Sequence, residues 1–121
     1  LPVFTANGNH VEIQQGATFT LSINLLASDG SQRNLSSGFT AAMQGRTSHK
    51  SENTIFSLTS SSGITLSATS PCFVVTLTAT QTALLLAPVR GVYDIELTTT
   101  SSGLVERVIE GSFEITPEVT R

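Results

Sequence analysis

A chain of 121 residues, 39% of them hydrophobic, makes one domain and can bury an apolar core without a metal or disulfide staple. The net charge of -3, with only six scattered Lys and Arg, argues against nucleic acid, whose phosphates demand massed cations. A single cysteine excludes an internal disulfide, and no apolar run approaches the ~20 residues of a helical membrane span.

Residues 1–10, LPVFTANGNH, lack alternation and contain Asn7-Gly8-Asn9. They read as an extended arm, whose Leu1, Val3 and Phe4 could reach a neighbouring subunit, or as an edge strand of their own domain. The sequence opens at Leu1 rather than Met, which leaves room for residues upstream, and no basic-then-apolar segment marks a secretory signal.

The domain proper spans residues 11–121. A first strand is expected near Val11 to Ile13. Residues 17–26 set Phe19, Leu21, Ile23 and Leu25 against Thr18, Thr20, Ser22 and Asn24, the two-residue period of a half-buried strand. Asp29-Gly30 signals a turn and residues 34–38 a loop. Phe39, Ala41 and Met43 alternate with Thr40, Ala42 and Gln44, and residues 46–53, RTSHKSEN, form a polar loop.

Short strands follow over residues 55–58 and 64–68, with a Ser-rich turn between them and Thr69-Ser70-Pro71 after them. Phe73, Val75 and Leu77 resume the alternation. Residues 80–87 alone have helical character, with Thr80 as cap and Pro88 and Gly91 as stops, and predict one short turn crossing between two sheets.

The remaining residues read as a β-hairpin. Tyr93, Ile95 and Leu97 face the core, residues 99–103 turn, and Ile109, Phe113 and Ile115 return before Pro117. Seven or eight strands at this spacing predict an all-β fold, an immunoglobulin-like antiparallel β-sandwich with one short helical crossover. The alternation fits two packed sheets and a more barrel-like closure equally.

Chemistry has little support. Cys72 sits in apolar Cys72-Phe73-Val74-Val75, the setting of a buried structural thiol. His10 and His49 are not spaced as metal ligands, and no Gly-x-Ser-x-Gly elbow exists. Asp94 and Glu96 on one strand, with Glu106, Glu110 and Glu114 on the next, form a carboxylate row. On a solvated face such a row means solubility or pairing with Arg107 or Arg90 rather than acid–base work. A calcium site at Asp29 lacks clustered acidic ligands. With Phe19, Phe39, Phe73 and Phe113 facing inward and no Trp, few rings remain for sugar stacking, which leaves residues 46–53 for any glycan contact. Tyr93 is expected to be structural, its hydroxyl tied to backbone as in immunoglobulin-like domains.

Four phrases carry a resemblance: Ile13-Gln14-Gln15-Gly16-Ala17-Thr18-Phe19; Leu35-Ser36-Ser37-Gly38-Phe39-Thr40-Ala41 ahead of Met43 and Arg46; Gly91-Val92-Tyr93-Asp94-Ile95-Glu96-Leu97; and Arg107-Val108-Ile109-Glu110-Gly111 running into Pro117-Glu118-Val119-Thr120-Arg121. In this order the chain resembles small immunoglobulin-like domains of tailed-phage virion structural proteins, the baseplate and tail accessory or fibre-attachment modules. Gly45 stands where that family carries a charged or polar residue, and residues 1–10 lie outside the resemblance.

The resemblance implies a non-enzymatic virion component of a tail, neck or baseplate, without cofactor. It would dock on other virion structural proteins as a homo-oligomer in a symmetric assembly, with no nucleic acid or membrane partner. Expected subunit contacts are Val3, Phe4, Pro117, Glu118, Val119 and Arg121. The alternatives are a capsid decoration protein and a host-surface glycan-binding adhesin domain.

Overall fold

A computed structural model of the protein describes residues 10–69 and 71–119. The arm apart from His10, and with it Val3 and Phe4, lies outside the described residues, as do Ser70 and Arg121. Eight strands and one helix follow in the order β1 (Val11–Gln14), β2 (Phe19–Ile23), β3 (Phe39–Arg46), β4 (Phe56–Thr59), β5 (Ile64–Leu66), β6 (Phe73–Leu77), α1 (Ala79–Ala83), β7 (Val89–Thr99) and β8 (Leu104–Thr116). They form a five-stranded sheet, β1-β8-β7-β3-β4, and a three-stranded sheet, β2-β6-β5.

The expected periods account for both sheets. Inward members of the strands, among them Ile13, Met43, Ile95, Leu97 and Ile115 of the large sheet and Phe73, Val75 and Leu77 of the small one, join a single core cluster. Each such Leu, Ile, Val or Phe contributes about 1.5–3 kcal/mol when fully buried. Cys72 is completely buried, as its apolar setting requires.

One pairing differs from an all-antiparallel fold. β1 runs parallel to β8, with Val11 opposite Phe113 and Gln14 opposite Thr116. Parallel neighbours need a long connection, and here almost the whole domain supplies it.

Glycine shapes the middle of the large sheet. Gly45 is in phase with Ala41 and Met43, so it belongs to the buried face rather than the exposed one. A Cβ there would strike the Phe56 ring, and a Cβ on Gly91 would strike the Arg46 carbonyl oxygen. Phe113, directly opposite Gly91, fills the space and meets Phe56 edge-on at 5.1 Å between centroids. Such close backbone approach is what an in-strand glycine permits.

Several boundaries move: β2 starts at Phe19, β4 runs Phe56–Thr59 rather than 55–58, and the helix ends at Ala83 instead of running to residue 87. β2 stops at Ile23 although Leu25 remains buried. Beyond Ile23, side chains replace the ladder: the Leu25 N–H donates to Cys72 Sγ and the Cys72 N–H to Asn24 Oδ1. The strand expected over 64–68 ends at Leu66, where the Ser67 hydroxyl bonds the carbonyls of Thr69 and Pro71. The helix begins earlier than expected because Thr78, not Thr80, caps it. The Thr78 hydroxyl accepts from the Gln81 N–H while Gln81 Oε1 accepts from the Thr78 N–H, a capping box. The helix joins β6 of the small sheet to β7 of the large one, as the crossover reading requires.

Candidate functional site

The outward residues of β3, β7 and β8 line a shallow groove of about 460 Å3. Ala42, Gln44 and Arg46 come from β3, Val92, Asp94 and Glu96 from β7, Arg107 and Glu110 from β8, and His49 from the following loop. Arg46 donates to the Ser51 carbonyl and to Gln44 Oε1, which holds that loop against the sheet. Three carboxylates of the row, Asp94, Glu110 and Glu114, are paired with arginine. Arg107 lies 3.4 Å from Asp94 and 3.6 Å from Glu110, and Arg90 lies 3.4 Å from Glu114.

Glu106 does not belong to that row. The β7–β8 register breaks so that Ile109 faces Ile95 while Arg107 faces Glu96, which makes Val108 the extra residue of a bulge. A slip of one residue reverses every side chain beyond it. Glu106 therefore sits opposite core residue Leu97 and meets Arg33 at 3.1 Å, with the Arg33 guanidinium 5.7 Å from the Phe39 ring centroid. Consecutive apolar residues Val108-Ile109, both buried, are the sequence trace of this break.

Outward positions of the small sheet carry Thr20, Ser22, Thr65, Val74 and Thr76, and none of its three strands contains a charged residue. β2 and β5 are its outer strands among the described residues.

A third feature lies where the chain after β8 passes the helix. Gln15 donates through Nε2 to the Leu85 carbonyl and accepts the Glu118 N–H at Oε1, each at 2.9 Å. Fully buried Thr82 accepts the Gly16 N–H and donates to the Ala17 carbonyl. Gly16 has φ +84°, and the Glu118 carboxylate lies where its Cβ would stand. Around this junction Leu84, Leu86 and Val119 are 82%, 68% and 91% exposed. Of the expected contacts, Pro117 and Val119 are exposed and Glu118 is half-buried against this junction. These partners are 65 to 103 residues apart, and no local pattern announces them.

The remaining candidates are local. His10 Nδ1 lies 2.7 Å from the Ser112 hydroxyl, and His49 is exposed on its loop. Hydrogen bonds from the Ser31 hydroxyl and N–H hold the Asp29 carboxyl below its ordinary pKa and close a turn. Burial pushes the Tyr93 hydroxyl up to about 12. Among the described residues no group of three His, Cys, Asp or Glu could hold a metal ion. No helix among them is long and apolar enough to cross a membrane.

No protein-family model matches this chain, and no curated protein matches it in sequence.

Proposed function

We propose that this chain is a non-enzymatic structural component of a tailed-bacteriophage virion, in the tail, neck or baseplate. In this reading its two sheets form an immunoglobulin-like sandwich that docks on other virion proteins within a symmetric assembly. The observation that carries the docking reading is the uncharged Thr, Ser and Val face of the small sheet. Short hydroxyl and branched side chains lose little rotamer entropy on packing, and no charge there must be stripped of water. The four phage-like phrases support the virion setting, and exposed Pro117 and Val119 beside Leu84 and Leu86 offer a second contact.

Quantitative mass spectrometry and electron cryomicroscopy of purified particles test this. Fixed stoichiometry and ring-ordered density at a tail, neck or baseplate are expected; density on the capsid lattice means decoration instead, and absence from every particle overturns the reading. The groove holding Arg46 and His49 favours one rival, a host-surface adhesin domain that binds glycan. For that rival the isolated chain binds host glycans, and Arg46→Ala abolishes the binding.

A further inference from the structure

The strand registers set out the groove of the large sheet as an ordered array. Ala42 stands opposite Glu96 and Gln44 opposite Asp94 across β3 and β7, while Glu96 faces Arg107 and Asp94 faces Glu110 across β7 and β8. Side chains so opposed have Cβ atoms about 4.5–5.5 Å apart. Arg107 turns to Asp94 and Glu110, so Glu96 makes no ion pair among the described residues although a guanidinium stands across from it. The small Ala42 methyl leaves a hollow beside half-buried Glu96, and Ala42 and Val92 supply the apolar part of the floor. Arg46 and Arg107 are each held by acceptors, which fixes the array before any ligand arrives.

The chemistry of this array selects its ligand. An anion meets Asp94, Glu96 and Glu110 and finds both arginines already answered by acceptors. A cation is drawn to Glu96 but repelled by Arg46 and Arg107. A flat aromatic ligand has no ring to stack on, since Tyr93 is buried beneath the groove. A neutral polyol fits, because each hydroxyl both donates and accepts. One hydroxyl can donate to Glu96 while its neighbour accepts from Arg107, which bridges two groups that form no ion pair with each other. The groove's volume of about 460 Å3 lies within the ~300–1,000 Å3 of small-ligand clefts.

We infer that this groove binds a neutral hexopyranose over the hollow at Ala42, with Glu96 and Arg107 sharing two adjacent hydroxyls and Arg46 donating to a third. The inference names the ligand class for the glycan reading of the groove and rests on that reading. Docking through the small sheet leaves the groove open, since that sheet lies across the shared core. Without ring stacking a single copy binds weakly, with a dissociation constant of about 1 mM, and repeated copies in one assembly raise the avidity.

Amide NMR titration of the full chain with methyl glucoside, methyl galactoside and methyl mannoside tests it, with N-acetylneuraminic acid and spermidine as the acidic and cationic probes. Saturable shifts in residues 42–46, 92–96 and 107–110 are expected for at least one methyl hexoside. Glu96→Gln should weaken that binding about tenfold or more. Ala42→Gln fills the hollow with an uncharged chain and should abolish it, and both variants should keep the urea midpoint of the unmodified chain. Unchanged affinity in both variants overturns the site. Saturation by N-acetylneuraminic acid alone overturns the neutral ligand and leaves the glycan reading standing. Saturation by spermidine alone, or no saturable shift with any sugar at about 100 mM, overturns the inference and the glycan reading together.

Discussion

The two sheets share one core but meet solvent in opposite ways. The large sheet carries Arg46, Arg90, Asp94, Glu96, Arg107, Glu110 and Glu114 on strands whose partners neutralise many of them across the ladder. The small sheet has no charge on any strand and stays wet through hydroxyls. A face of paired charges must break ion pairs and lose bound water before another protein can cover it, whereas a hydroxyl face gives up less. The small sheet is therefore the cheaper one to bury, and the large sheet the better one to leave in solvent.

The sharpest challenge to a shared core is truncation on each side. Phe73→Ala and Phe113→Ala remove almost fully buried rings from the small and large sheets and should each cost about 3–5 kcal/mol in urea unfolding. A single transition is expected in both; two separate transitions would mean that the sheets do not unfold together. Next in size is Gly91→Ala. Its Cβ meets the Arg46 carbonyl oxygen, so overpacking should cost about 1–3 kcal/mol by the same measurement.

Tyr93 probes the large sheet's buried face by pH. Its folded pKa of about 12 lies above the reference 10.0, so above pH 10 the unfolded chain releases the proton first. Stability is fully present below pH 10 and falls by about 1.4 kcal/mol per pH unit until pH 12. Denaturation at a pH series should show the decline, and Tyr93→Phe should flatten it. A smaller effect is expected on the outer face. Arg107→Ala removes ion pairs to Asp94 and Glu110 from a half-exposed site and should cost under about 1 kcal/mol, less at high salt. Smallest is Thr65→Lys on the small sheet, which should change monomer stability by less than about 0.5 kcal/mol and, under the docking function proposed above, prevent incorporation into particles. Normal incorporation of Thr65→Lys would show that the hydroxyl face is not covered.

Much of this was legible in local pattern. Alternation at Tyr93, Ile95 and Leu97 and at Phe73, Val75 and Leu77 predicted buried faces that the structure bears out, and the apolar setting of Cys72 predicted its burial. Helix capping was legible too, but in Thr78-Ala79-Thr80-Gln81 rather than at Thr80. The reciprocal pair of Thr78 and Gln81 outweighs a lone threonine because it satisfies two backbone groups at once. The row of Glu106, Glu110 and Glu114 misled, since strict alternation carried across Val108 assigns Glu106 to the wrong face.

Sequence by itself determined most of the buried strand positions and where most turns fall, because a strand's two-residue period and the φ demands of turns act over a few residues. Tertiary structure alone decided the parallel seating of β1 on β8, the bulge that sends Glu106 to Arg33, and the junction of Gln15, Thr82 and Glu118. Those features join groups distant along the chain, and their energies exist only after the intervening strands have closed the distance.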